Sequence, residues 1–183
     1  MLSANVEQQV RRWLDQFVVG LNLCPFARPL LSGEALRIVI CEQTGRKELH
    51  EAFLSELDTL YSTAKTDVAT TLLVFPLALE KFSDYLSFLH VSEDIVDEAG
   101  LAGIVQLASF HPDYVFAGED SGSASRYSNR SPYPLIHLLR EDMVSAAVAD
   151  YPQPERIPAR NIEALKKIGN RELALRWQAL FSE

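Results

Sequence analysis

Arg126, Arg130, His137 and Arg140 fall within fifteen residues, and no carboxylate occurs from Ser121 to Arg140. Guanidinium groups gathered without acidic partners suit a phosphate or a carboxylate, which they hold through paired N–H donors. Ser131 followed by Pro132 reads as a hydroxyl cap and the first residue of a helix running to about Val148. Free N–H groups at such a start, with the helix dipole, favour an anion, and Arg126, Asn129, Arg130, Ser131, Tyr133 and Arg140 are its candidate ligand-binding residues. On that helix His137 and Glu141 stand one turn apart, so the carboxylate would orient the imidazole as a general acid/base. The plain alternative is a capped surface helix with an ordinary ion pair.

Two further residues could join the chemistry. Cys24 precedes Pro25 in "GLNLCPFA", where a new helical turn would stabilise a thiolate and lower its pKa. His111, in "SFHPDYVF", sits where a strand ends, with a turn histidine held by Pro112 and Asp113 as the alternative. Cys24, His111 and His137 would make a nucleophile and its bases if the fold joined them, and they stand at no spacing diagnostic of zinc. Cys41 reads as core, and His50 and His90 as helix-surface residues. No residue is assigned as a metal ligand, and the cofactor and any metal requirement stay open.

The elements that must position these groups follow from periodicity. Val6, Val10, Trp13, Leu14, Phe17 and Val18 repeat at helical spacing as far as Gly20. Residues 35–42, 68–76 and 103–110 read as strands, and 113–118 as a short fourth. Helices lie between the first three, led by Leu49, Phe53 and Leu57 and by Phe82, Tyr85 and Leu89. Crossovers of that length predict an α/β fold in one domain, 1–183: a small, mostly parallel sheet of three to four strands packed with helices. A two-layer α+β ferredoxin-like sandwich is the alternative. The Ser- and Gly-rich residues 118–131 read as a mobile loop, and a C-terminal helical pair spans about 159–181, broken at Gly169-Asn170.

Composition narrows the partners. A net charge of −8 opposes broad nucleic-acid or anionic-membrane binding, and the basic residues among Lys166, Lys167, Arg171 and Arg176 are interrupted by Glu172. Two cysteines seventeen residues apart form no disulfide framework, and no segment reads as a membrane span or signal peptide, so a cytoplasmic protein is expected. The partner is then a small anionic molecule, or alternatively an acidic protein docked by the 118–131 loop in a non-enzymatic module. The oligomeric state stays open.

The strings "GLNLCPFARP", "FHPDYVF", "NRSPYPLIHLLRE" and "RNIEALKKIG" together resemble the bacterial family of uncharacterised proteins named domain of unknown function 1415. The resemblance runs from about Val6 to Trp177. It implies a stand-alone bacterial protein and carries no activity with it.

Overall fold

Val6, Val10, Trp13 and Phe17 are almost wholly buried, so the first amphipathic segment packs as its spacing requires. It begins as α1 (Leu2–Trp13) and widens into a π-helical turn (Leu14–Val19) that ends at Gly20. A Cβ at Gly20 would lie 2.5 Å from the Gln16 carbonyl oxygen, so only glycine fits that close turn. The computed structural model describes residues 2–31 and 33–182.

After α2 (Ala27–Leu31) the chain alternates β1 (Leu36–Ile40), α3 (Arg46–Ser62), β2 (Thr70–Val74), α4 (Phe82–Glu98) and β3 (Val105–Phe110). Then come a 3₁₀ turn (Ala124–Ser128), β4 (Leu135–Arg140), α5 (Glu141–Ala149), a second 3₁₀ turn (Pro154–Arg156), α6 (Ile157–Ile168) and α7 (Asn170–Ala179). Gly169, at φ +82°, allows the sharp break between the last two helices at the place the sequence indicates.

The strand order is β1-β2-β4-β3. β1 and β2 pair in parallel, whereas β4 runs antiparallel to both β2 and β3. The crossovers through α3 and α4 do make β1, β2 and β3 point the same way. β4 nevertheless inserts between β2 and β3, so the sheet is mixed and most pairings are antiparallel, contrary to the mostly parallel expectation. The α/β class stands.

Helices cover both sides of this sheet, which excludes the two-layer arrangement. On the front, Leu72, Val74 and Leu135 pack with α1, the π turn, Leu165 of α6, and Leu173 and Trp177 of α7. On the back, Leu73, Phe75, Ile136 and Leu138 pack with Leu49, Phe53 and Leu57 of α3 and Tyr85, Phe88 and Leu89 of α4. Every residue of β2 is buried, as a strand between two helical layers must be.

The structure corrects three further local expectations. The segment from Pro132 to Val148 is no single helix: Leu135–Arg140 is the central strand β4 and the helix starts only at Glu141. Residues 113–118 are irregular, with turns at either end, rather than a strand. From Ala124 the 118–131 stretch forms a 3₁₀ turn whose Ala124, Ser125 and Tyr127 are buried, so that part is packed structure rather than a mobile loop, while residues 118–122 are exposed.

Candidate functional site

The 3₁₀ turn carries Arg126 and, just beyond it, Arg130, with Tyr127 between them. Tyr127 is anchored from below by stacking on Phe17 of the π turn, centroids 6.0 Å apart and 11° from coplanar. Both guanidiniums use this one ring: the Arg126 and Arg130 carbons lie 5.6 and 5.1 Å from its centroid. Arg130 also lies 4.3 Å from the Trp177 centroid, so α7 supplies a second aromatic surface. Tyr127 and Trp177 thus form a shelf for two cations.

The donors on this shelf are only partly used. Arg130 Nη1 donates to the Tyr127 hydroxyl at 3.0 Å, and its Nε is buried without a partner. Arg126 Nη1 donates to the Ser121 carbonyl at 2.7 Å. Among the described residues neither arginine enters an ion pair. Burial first, and the neighbouring Arg126 charge second, hold Arg130 below the ordinary guanidinium value, while Tyr127 and Asp113 act in the opposite direction. An arginine stays charged nonetheless, so the pair is a cationic patch in an acidic protein with unmet hydrogen-bonding capacity.

The other residues expected around an anion do different work. No helix begins at Ser131; its fully buried hydroxyl donates to the Tyr133 carbonyl at 2.6 Å and its N–H bonds the His111 carbonyl. Asn129 Nδ2 donates to the Ser109 carbonyl at 3.1 Å, and the Tyr133 hydroxyl donates to Gln9. Arg140 points to the opposite side of β4 from His137 and braces the α3–β2 connection through the Thr63 and Val68 carbonyls. Pro132 and Pro134 explain the missing helix start, since each drives the residue before it into extended backbone.

His137 is a front-facing strand residue in register with Leu72 and Ala108, and Glu141 opens α5. The expected one-turn pair between them therefore does not exist; Glu141 instead takes a hydrogen bond from Ser145. The imidazole is oriented by Thr70. Thr70 donates its single proton to the Leu138 carbonyl at 2.7 Å, so at the 2.6 Å contact His137 Nε2 must be the donor. Burial pushes the His137 pKa down to about 4.

His111 is fully buried, with Nδ1 accepting the Asp113 N–H at 2.9 Å and Nε2 donating to the Leu79 carbonyl at 3.0 Å. Its ring packs on Phe82 and Tyr85 of the back layer. Burial lowers its pKa, and both nitrogens are committed to backbone. Cys24 packs against the front core. The Phe26 and Ala27 N–H groups favour its thiolate as expected, yet burial outweighs them and raises the thiol's pKa, which corrects the expected lowering. The fold thus puts Cys24 and His137 on the front and turns His111 to the back. Among the described residues no group of three or more His, Cys, Asp or Glu side chains could hold a metal ion.

The chain matches, over residues 5–175, the model of a family described as a protein of unknown function, domain of unknown function 1415. It belongs to that family. Neither a curated protein nor a solved structure matches it.

For this member of domain of unknown function 1415, the site is therefore read from its own geometry. Of the candidate ligand-binding residues, Arg126 and Arg130 come together with free donors, and the rest are spent on bracing turns and strands. Tyr127, Trp177 and Thr70 were not candidates by sequence. Tyr127 carried a signal in its place between two arginines, whereas Thr70 sits in an apolar strand and carried none. No described helix is long and apolar enough to cross a membrane. A hollow of about 420 Å³ lies along the exposed side of α1 between Glu7, Arg11 and Asp15, and holds none of the candidate residues.

Proposed function

We propose that this protein binds a small anionic molecule, bearing a phosphate or a carboxylate, at Arg126 and Arg130. The observation that carries the reading is a pair of guanidiniums stacked on one tyrosine, with no ion-pair partner among the described residues and a buried N–H left unmet. Buried or stacked arginines in stable folds are normally matched by carboxylates, because an unmatched charge loses hydration without return. An incoming anion supplies the match. Among the described residues, Nη2 of Arg130 and the Nε/Nη2 edge of Arg126 make no hydrogen bonds and are the donors it would meet.

Stacking fixes both side chains before the ligand arrives, which reduces the ordering cost of binding. The −8 net charge repels an anion at long range, so binding would rest on direct contact with the two guanidiniums rather than on steering. Melting should respond directly. Phosphate or citrate at about a hundred times its dissociation constant is expected to add about 2.7 kcal/mol, or about 5–10 °C, over chloride of equal ionic strength. Arg126→Ala, at a half-exposed position, should fold normally and lose that gain. Equal melting in all three salts, or a gain that survives Arg126→Ala, would contradict the reading.

A further inference from the structure

The front of the sheet is not covered evenly. Gln106 is exposed, and Ala108, His137 and Leu139 are half-buried, although all four belong to the side that α1, α6 and α7 cover elsewhere. Ala108 and Leu139 enter neither core cluster. The helices therefore stop short of the β3–β4 half of this face.

In the middle of that opening stands an imidazole whose orientation is fixed. The Leu138 carbonyl takes the Thr70 proton, Thr70 takes the His137 Nε2 proton, and the ring is left as the tautomer with a bare Nδ1. Among the described residues Nδ1 has no hydrogen-bond partner, and the half-buried ring leaves that edge for a ligand. Its register neighbours on this side, Leu72, Ala108, Gln106 and Leu139, carry no charge. The Phe110 ring stands 6.4 Å away.

One acceptor in an apolar setting selects its ligand chemically. A charged molecule would lose hydration there with no opposite charge to receive it. A purely apolar one would leave Nδ1 unsatisfied. We infer that His137 Nδ1 anchors a second ligand position on the front of the sheet, for a neutral molecule carrying one O–H or N–H donor on an apolar body. The body lies over Ala108 and Leu139, and Thr70 is the positioning residue that keeps the acceptor aimed outward. This position is independent of the arginine shelf, which takes anions.

Phenol is a suitable probe, with toluene as the analogue lacking a donor. In protein labelled with ¹⁵N at histidine, phenol should move the His137 Nδ1 resonance along a saturating curve, and toluene should bind about tenfold more weakly for want of one hydrogen bond. Thr70→Val should weaken phenol about tenfold and mix the two imidazole tautomers, a spectroscopic change that loss of packing alone would not produce. Ala108→Leu fills the floor of the opening without touching the hydrogen-bond chain and should abolish the shift. The inference is overturned if phenol leaves Nδ1 unmoved, if toluene matches phenol, or if the shift survives Ala108→Leu.

Discussion

Replacing Trp177 with alanine should cost about 3–5 kcal/mol, the usual penalty for emptying a buried tryptophan site. Trp177 is 8% exposed and meets Phe17, Tyr127 and Phe181 edge-on at centroid distances of 5.8, 6.1 and 6.0 Å. Its loss removes the contact between α7 and the π turn together with one of the two rings that carry Arg130. The desolvated cation then adds to the penalty, since stacking worth about 0.5–2 kcal/mol goes with the ring. Urea unfolding measures the total, and Trp177→Phe should recover a large part of it by restoring an aromatic face. A cost below about 1 kcal/mol for the alanine variant would mean that α7 does not support the shelf.

Acidification should weaken the protein through His137. In the folded chain its pKa is pushed to about 4 from an ordinary 6.5, so below 6.5 the unfolded chain binds the proton more readily. Stability is therefore fully present above pH 6.5 and falls as the pH drops towards about 4, by roughly 3 kcal/mol over that window, after which the loss levels off. His111, also depressed by burial, acts in the same direction. Unfolding free energies measured at a series of pH values should show this slope in the natural protein and a shallower one in His137→Leu. The variant leaves Thr70 bonded to the Leu138 carbonyl and so keeps the strand pairing. Parallel pH curves for the two proteins would show that His137 is not held neutral by its surroundings.

These effects rest on features that the sequence revealed unevenly. The helical stripe of Val6, Val10, Trp13 and Phe17 and the apolar runs of β1, β2 and β3 were readable because each follows one period or one short continuous block. β4 was not. Leu135, Ile136, Leu138 and Leu139 satisfy helical spacing, but the same run suits a central strand with Leu135 in the front core and Ile136 and Leu138 in the back core, where alternation is weak. The evidence against a helix lay in Pro132 and Pro134, which hold Ser131 and Tyr133 extended.

That misreading displaced the site by a few residues and changed its physics. Arg126 and Arg130 were legible as basic residues without acidic neighbours, and they remain the centre of the account. The proposed anion site rests not on a helix start but on a shared aromatic shelf, and half of that shelf comes from Trp177 in the last helix. Local periodicity holds no information about such a distant contact. The position of β4 between β2 and β3 was hidden for the same reason, because it depends on how the packed segment after His111 returns the chain to the sheet.

The proposed binding of an anion by the two arginines can be tested at the groups themselves. Inorganic pyrophosphate added at constant ionic strength, with the Arg126 and Arg130 Nε–H resonances followed by ¹H–¹⁵N NMR, is the most direct measurement. Both resonances should move along one shared saturation curve, and Arg126→Ala should remove the Arg130 response. Two stationary resonances, or an Arg126 shift that grows linearly while Arg130 stays fixed, would contradict a binding site at this shelf.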